Sequence, residues 1–271
     1  SSHYTEAFQR HKAKIEKQKL ESKCTNYEEY NQPFNLAELQ TSLNSCNNSA
    51  PGYDRVTYEM LKNLPLETRK TLLSLYNAIW LSGTIPASWK EAIVIPILKQ
   101  GKDPSLASSY RPIALTSCLC KLFEKMINRR LLHFLETHNL LDQFQCGFRE
   151  GRSTTDHLVR IEAQIRDAFA HKQYFLSVFL NIQKAYDTTW HFGILRDLSH
   201  LGVHGKMFSI IDLLVQLDIP CPCGQCSLPN FCPRNGSTAR RCSYLYTFII
   251  KMNSLHLSIP RNMFYCTYVD D

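Results

Sequence analysis

Two adjacent carboxylates, Asp270 and Asp271, directly follow the apolar and β-rich segment 263–269. A strand end that aims two carboxylates at one point can bind divalent cations through hard oxygen ligands. Two such cations about 3.5–4 Å apart activate an attacking oxygen and stabilise a leaving oxygen in phosphoryl transfer. A solvated chain end is the alternative interpretation of this pair, so the earlier motifs must decide between the two.

Three earlier segments contain residue types that suit phosphate groups and nucleic acid. They read S-Y-R-P-I-A-L-T-S at 109–117 with K-L-F-E-K at 121–125, Q-C-G-F-R-E-G-R-S-T at 145–154, and V-F-L-N-I-Q-K-A-Y-D at 178–187. Together with Y-V-D-D at 268–271, these segments closely resemble, in order and spacing, the motifs of reverse transcriptases from non-LTR retrotransposons. The pattern is most similar to that of jockey-like elements of arthropods.

The resemblance implies a polymerase that uses Mg²⁺, with two ions in an intact relative. Asp270 and Asp271 would hold the metal, and Asp270 would be the more important of the two. Arg111, helped by Lys99 or Lys102, would contact the incoming triphosphate, because a planar guanidinium matches phosphate oxygens. The alternative for Arg111 is a pair with a surface carboxylate.

The resemblance also implies roles for three further side chains. Tyr186 would close the nucleotide pocket against a 2′-hydroxyl and so select deoxynucleotides, unless it is an ordinary core aromatic. Arg149 and Arg152 would hold the template backbone in a sequence-independent, salt-sensitive way. A solvated charge is the alternative for either arginine.

One departure from the family pattern affects the chemistry directly. The family has its first catalytic aspartate where this chain has Asn181. An amide offers one neutral oxygen where a charged carboxylate should bridge both metals, so metal affinity and transition-state stabilisation should both fall. Weak coordination of one metal by Asn181 is the alternative. Asp187 is expected to cap the next helix rather than replace the missing carboxylate.

A second departure lies in the segment 235–248, where the family has a Pro-Gln-Gly motif that this chain lacks. Nearby, the irregular stretch from 220 onward contains five of the eleven cysteines: Cys221, Cys223, Cys226, Cys232 and Cys242. Four of these thiolates, beginning with the Cys223-x-x-Cys226 pair, could bind zinc. The irregular spacing favours sequence decay instead, and the cysteine count without a secretory signal indicates reduced thiols.

The elements that would position these residues alternate between helical and strand patterns. Apolar spacing predicts helices over about 67–82, 119–135, 154–171, 191–201 and 206–217, with Ser153 or Thr154 as a cap, and order again over 248–257. The long helix after residue 118 should carry Lys121, Lys125, Arg129 and Arg130 on its outer side. Short apolar runs predict strands over 92–98 and 174–182, the latter buried on both faces.

These patterns and the resemblance predict an α+β fold, the right-handed fingers and palm of a polymerase with an incomplete palm and no thumb. We divide the chain into an N-terminal helical extension (1–50), fingers (51–172) and a truncated palm (173–271) with a degenerate segment at about 220–247. The opening stretch 8–23, with its mixed charges, is expected to be a solvated helix or arm. The family usually has an endonuclease upstream, which is absent from this sequence.

The expected partners are an RNA template, a DNA primer and deoxynucleoside triphosphates. A net charge of +7 and a pI near 8.8 suit such polyanions, although a mild excess of this size also serves solubility. No apolar run is long enough to span a membrane. An intact element would act in cytoplasm and nucleus.

Two functions stay open: an RNA-directed DNA polymerase that is impaired in this copy, or a catalytically dead remnant that at most binds nucleic acid.

The missing motif gives a prediction at the level of the gene. A family-like V-P-Q-G-G-V-L-S-P-T-L-F peptide, translated in a neighbouring frame with ordinary codons, gives a segment close to residues 237–248. We expect the nucleotide sequence to encode the missing Pro-Gln-Gly in an adjacent frame, with a frameshift near Ser237 that is restored by about Phe248. Reading all three frames tests this, and the absence of the motif from both neighbouring frames would refute it.

Overall fold

Helices and one antiparallel hairpin make up the computed structural model, which describes residues 6–16, 28–106, 109–179, 190–216, 249–253 and 265. The mixture of helix and strand agrees with the α+β expectation. The elements in chain order are α1 (Glu6–Glu16), α2 (Leu36–Asn44), α3 (Tyr58–Lys62), α4 (Leu66–Ser82), β1 (Ile93–Leu98), β2 (Tyr110–Leu115), α5 (Cys118–Thr137), α6 (Thr154–Ala170), α7 (His191–His200) and α8 (Gly205–Gln216). Short 3₁₀ helices span Glu29–Asn31 and Ala87–Lys90, and residues 249–253 are helical.

Helix α5 forms the centre of the core, and its predicted position is confirmed. The Ser117 hydroxyl accepts a hydrogen bond from the Leu119 backbone N–H at 3.1 Å and so caps the first turn. Apolar residues then recur every three or four positions and place one face of the helix against its neighbours. The fully buried members of this face are Leu122, Phe123, Met126, Ile127 and Leu131.

Helix α4 packs against α5 through aromatic side chains. Tyr76 lies 5.3 Å from Phe123 between ring centroids, and its hydroxyl donates to the Leu119 carbonyl at 2.9 Å. Burial raises the pKa of Tyr76 well above its usual value, so this phenol stays protonated. The helix ends where predicted, because Gly83 adopts a left-handed conformation with φ of 62°.

The segment 28–44 packs into the same core. Phe34 lies edge-on to Trp80 at 4.9 Å, and its backbone N–H donates to the Asn77 Oδ1 at 2.7 Å. Asn35 and Glu38 then cap α2 reciprocally. Because these contacts join residues 28–46 to α4 and α5, no packing boundary coincides with the proposed division at residue 50. The division into domains stays a prediction.

The prediction that Arg130 lies on the outer side of α5 is wrong. Its side chain is 11% exposed and forms a double ion pair with Glu38, with Nη2 at 2.6 Å from Oε1 and 2.7 Å from Oε2. The guanidinium stacks 4.2 Å above the Phe34 ring and also donates to the Gln32 carbonyl. The segment 30–38 folds over this arginine, which periodicity within α5 alone could not reveal.

Strands β1 and β2 form an antiparallel hairpin, with Ile93 opposite Leu115 and Leu98 opposite Tyr110. The second strand was not predicted. The predicted strand over 92–98 is thereby confirmed. A hydrogen bond from the Lys99 N–H to the Ser109 carbonyl, at 2.8 Å, extends the ladder beyond the strand ends. The hairpin leads into α5 through only Thr116 and Ser117, so the position of the strands depends on that helix.

The predicted helices over 154–171, 191–201 and 206–217 are confirmed as α6, α7 and α8. The Asp156 carboxylate accepts a 2.6 Å hydrogen bond from the Ser153 N–H, which fixes Ser153 as the cap of α6 and lowers the pKa of Asp156. No helix in the described part of the chain is long and apolar enough to cross a membrane.

The predicted strand over 174–182 is wrong for its described part. Residues 174–179 adopt neither strand nor helix, and the side chains of Tyr174, Leu176, Val178 and Phe179 are exposed. A strand requires a neighbour that satisfies its backbone hydrogen bonds, and an apolar sequence alone does not supply one. Residues 180–182 lie outside the described residues.

Gly52 is placed so close to the start of α5 that no side chain fits. A Cβ there would stand 2.7 Å from the Ser117 backbone nitrogen and 2.8 Å from the Thr116 carbonyl carbon. Both are backbone atoms, so relief would require the chain to move. Two residues later, the Asp54 carboxylate accepts a 2.5 Å hydrogen bond from the Ser117 hydroxyl. Gly52 and Asp54 thereby hold the loop around residues 52–54 against Ser117, the cap of α5.

We expect Gly52→Ala to lower the free energy of unfolding by about 1–3 kcal/mol, because overpacking against backbone cannot relax locally. Urea unfolding followed by circular dichroism measures it. Gly83→Ala is the comparison: a Cβ there meets nothing within 4 Å, so only its positive φ should cost about 1 kcal/mol. A Gly52→Ala loss smaller than that of Gly83→Ala would contradict the close approach.

Candidate functional site

The β1–β2 hairpin places two of the predicted cations on one face. Arg111 lies opposite Ile97 in the antiparallel register, and Lys99 follows Ile97 by two residues on the extended ladder. Because alternate residues of a strand share a face, Lys99 and Arg111 are neighbours on the same side. Arg111 is exposed and Lys99 is half-buried. Lys102 is exposed in the turn, where its N–H donates to the Lys99 carbonyl at 3.2 Å.

The rest of this face is apolar and exposed. Ile95, Ile97 and Ile113 are each between 42% and 48% exposed. The face therefore combines positive charge with exposed apolar side chains.

Arg149 lies at the opposite end of α5, and protein acceptors surround its guanidinium. Nε and Nη2 donate to the two carboxylate oxygens of Glu136 at 2.7 and 2.6 Å. Nη1 donates to the carbonyls of Asp142 and Gln145 at 2.7 and 3.1 Å. With its side chain 8% exposed, Arg149 is not a solvated charge. A template contact by Arg149 stays a prediction, and its observed contacts hold the loop 142–149 against α5.

Arg152, in contrast, is exposed. The backbone around these arginines is unusual, because Phe148, directly before Arg149, has φ of 57°, and Gly151, directly before Arg152, has φ of 71°. Left-handed residues reverse the chain direction locally, and for a bulky phenylalanine this conformation is costly unless the surroundings impose it. The turn separates Arg149, which faces protein, from Arg152, which faces solvent.

Arg152 lines an open groove of about 1400 Å³ between the segment 28–45, the outer side of α5 and the loop 148–152. Arg129 and Lys125 lie along the same groove, and the Lys125 Nζ donates to the Ser45 carbonyl at 2.5 Å. The groove also contains five carboxylates: Glu28, Glu29 and Glu150, together with Glu38 and Glu136, which pair with Arg130 and Arg149. Its charge is therefore mixed, with the cations concentrated on α5 and the 148–152 loop.

Sequence reasoning missed a second set of contacts around Asp142. The Tyr265 hydroxyl donates to Asp142 Oδ2 at 2.7 Å, and the Asp142 N–H donates to Asn253 Oδ1 at 2.5 Å. Burial and the adjacent Asp142 carboxylate together raise the pKa of Tyr265 to about 12. No local pattern reveals a contact across 123 residues, although Tyr265 stands five residues before Asp270 in the sequence.

Several predicted site residues lie outside the described residues. These are Asn181, Tyr186, Asp270 and Asp271, together with the cysteine-rich stretch and the segment 235–248. Within the described ranges, no three His, Cys, Asp or Glu side chains are grouped so that they could hold a metal ion. The described cysteines Cys46, Cys118, Cys120 and Cys146 are free thiols and buried.

Residues 97–271, about two thirds of the chain, match the family "Reverse transcriptase (RNA-dependent DNA polymerase)". The chain belongs to the reverse transcriptase family. The match begins at Ile97 on β1 and includes Lys99, Arg111, α5 and the loop with Arg149 and Arg152.

Similar proteins come from non-LTR retrotransposons, as the sequence motifs predicted. The chain is 36% identical over 170 residues to the "Probable RNA-directed DNA polymerase from transposon BS" of Drosophila melanogaster, covering 62% of this chain and 19% of that protein. It is 34% identical over 186 residues to the "RNA-directed DNA polymerase from mobile element jockey" of the same species, covering 65% and 20%. The "Retrovirus-related Pol polyprotein from type-1 retrotransposable element R2" of Popillia japonica is 28% identical over 171 residues, covering 63% and 23%. The matched part therefore spans about a fifth of the length of these relatives.

The contacts of Arg149 predict a loss of stability when its side chain is removed. We expect Arg149→Ala to lower the free energy of unfolding by about 1–3 kcal/mol, because Glu136 and two carbonyls lose a charged donor. Arg166→Ala on α6 is the matched control, since its pair with Glu162 is exposed and should contribute at most about 0.5 kcal/mol. Equal effects of the two substitutions in urea unfolding would show that Arg149 is not structural.

Proposed function

We propose that this chain is the polymerase part of an RNA-directed DNA polymerase, which extends a DNA primer on an RNA template with deoxynucleoside triphosphates. The observation that carries the proposal is the hairpin face with Lys99 and Arg111, inside the region that matches the family. Residues 51–172 correspond to the fingers and residues 173–271 to the palm region of a right-handed polymerase.

The hairpin is the binding site for the incoming triphosphate in this proposal. Arg111 and Lys99 bind phosphate oxygens from one face, and Lys102 approaches from the turn. A charge-assisted hydrogen bond from a guanidinium is short and strong. Tyr186 restricts the sugar to the deoxy form by occupying the space of a 2′-hydroxyl.

The template lies along the groove on the outer side of α5. Arg152, Arg129 and Lys125 line that groove beside its carboxylates, so a phosphate backbone there would follow the cationic side formed by α5 and the loop 148–152. Contacts of this kind position a nucleic acid without reading its bases. Arg149 supports them indirectly, because it holds the loop that carries Arg152.

The metal site is assigned by the chemistry of its donor set. Asp270 and Asp271 supply the hard carboxylate oxygens that Mg²⁺ binds, and they would hold two ions. Such ions, when bound, lower the pKa of the primer 3′-hydroxyl and neutralise charge on the departing diphosphate. Asn181 supplies one neutral oxygen in place of a carboxylate. Synthesis by this copy is therefore impaired.

Asn181 also favours a second function, that of a catalytically inactive remnant which binds nucleic acid. The cations on the hairpin and the groove do not depend on the metal ligands, so affinity for a polyanion can persist after catalysis is lost. Localisation to the cytoplasm and the nucleus is expected only under the first function, that of an intact element.

Primer extension distinguishes these functions. We expect Asn181→Asp, in the chain fused to a polymerase thumb, to extend a DNA primer on RNA at least about 100-fold faster than the same fusion with Asn181, because one transition-state ligand is restored. Adding Arg111→Ala to the repaired fusion should raise the KM for the triphosphate roughly tenfold or more. Arg166→Ala, an exposed charge on α6, is the control and should change neither value.

Each outcome bears on one statement. Equal rates of the fusion that retains Asn181 and of the Asn181→Asp fusion would contradict the impairment, and an unchanged KM would contradict the role of Arg111. If the repaired fusion folds and binds template without any synthesis, the polymerase assignment fails and the remnant interpretation stands.

A further inference from the structure

Asp142 uses every hydrogen-bonding group that it has. Its N–H donates to Asn253 Oδ1, and its carbonyl accepts from Arg149 Nη1. Its Oδ1 accepts from the Phe144 N–H at 2.7 Å, and its Oδ2 accepts from the Tyr265 hydroxyl at 2.7 Å. These four partners restrict the position of the half-buried Asp142, because any displacement would break several charge-assisted hydrogen bonds together.

The partners of Asp142 come from two distant parts of the chain. Arg149 and Phe144 belong to the loop that leads to Arg152, whereas Asn253 and Tyr265 follow more than a hundred residues later. Two further contacts join the same parts. The Asn253 Nδ2 donates to the Leu140 carbonyl at 2.9 Å, and the Phe144 ring lies edge-on to the Tyr265 ring at 5.2 Å between centroids.

The β1–β2 ladder does not include the loop 140–149, in which Gln145 forms an isolated β-bridge. Polar side chains join this loop to Asn253 and Tyr265. A hydrogen-bonded aromatic contact of this type is directional, whereas apolar packing alone would permit sliding.

We propose that Asp142 and Tyr265 are positioning residues that couple the loop carrying Arg152 to the chain segment five residues ahead of Asp270. This inference rests on the proposed polymerase function. The template contact and the metal-binding pair must keep a fixed separation for the primer end to meet the nucleotide, and errors of about 1 Å cost large factors in rate. The Asp142–Tyr265 hydrogen bond directly connects the two sides.

The protonation of Tyr265 suits this role. Its pKa of about 12 keeps the phenol neutral, so it donates to the carboxylate at any physiological pH. Because the pKa is raised in the folded state, its contribution to stability is complete below about pH 10, the ordinary pKa of a tyrosine, and decreases as the pH rises toward 12.

The test compares hydroxyl deletions in the Asn181→Asp fusion. We expect Tyr265→Phe to lower kcat for nucleotide addition roughly tenfold, while the Kd for template–primer changes less than about twofold, since the ring stays against Phe144. Tyr76→Phe is the matched control, because it also removes one hydroxyl hydrogen bond but lies in the core. It should lower stability without changing kcat.

Asp142→Ala provides the second arm. If the two residues act as one contact, Tyr265→Phe should add no further loss of kcat to Asp142→Ala, whereas independent roles would multiply the two losses. Asp142→Asn retains an acceptor for the Phe144 N–H and should recover part of kcat. An unchanged kcat in Tyr265→Phe, or a loss equal to that of Tyr76→Phe, would overturn the proposal.

Hydrogen–deuterium exchange on the chain that retains Asn181 and carries no thumb fusion separates this inference from the proposed function. Tyr265→Phe should increase the exchange of amides in residues 142–152 several-fold and leave those of α4 unchanged. If the repaired fusion makes no DNA, the polymerase function fails, and the exchange result alone decides whether the contact exists. Unchanged exchange in residues 142–152 would refute the coupling in either case.

Discussion

Burial of one face of α5 is the interaction on which the described structure depends. The helix has 20 residues and so spans about 30 Å. The segment 28–44 and α4 both pack on its apolar side, and the hairpin with Arg111 joins its first turn after two residues. At its other end, Glu136 holds Arg149 and with it the loop that leads to Arg152. Because a helix is stiff, the length of α5 sets the distance between the hairpin with Arg111 and the loop with Arg149 and Arg152. A packing defect within this helix would therefore affect both groups of cations together.

The charged residues of α5 show how a core of this size tolerates polar groups. Arg130 is almost buried, yet each part of its guanidinium meets a carboxylate, a carbonyl or an aromatic face. Arg149 approaches the C-terminal end of the helix in the same way. Breaking such a pair costs more than the pair contributes, because the remaining charge loses its partner without regaining water. These arginines consequently restrict which loops can cover the helix, and they select the observed packing among those that apolar contacts alone would allow.

The sequence predicted those parts of the fold whose signals are local. Helical spacing and caps identified α4, α5 and α6, and a short apolar run identified β1. In each case the pattern of apolar residues within the element itself indicates which face is buried. The sequence did not predict the partners of Arg130 and Arg149, which come from segments outside the local pattern. The segment 174–179 shows the same limit, since its apolar composition indicated a strand but says nothing about a neighbouring strand. For the candidate site, the motifs predicted Lys99 and Arg111, and the structure added that they share a face. Asp142 and Tyr265 could not be predicted, because each is ordinary in its local context.

Stability and catalysis place opposite demands on the proposed metal site. Three carboxylates converging on one point repel one another in the absence of cations, so an amide in place of one carboxylate should relieve repulsion while it weakens metal binding. In the proposed site, Asn181 would therefore lower activity without a corresponding cost in folding. The core around α5 gains its stability from apolar burial and paired arginines, neither of which involves metal ions. A copy can thus lose its chemistry and still present an ordered hairpin and groove. For this reason the ordered core around α5 is compatible with membership of the family, whereas only the proposed metal ligands and their spacing to the loop with Arg152 bear on whether DNA is made.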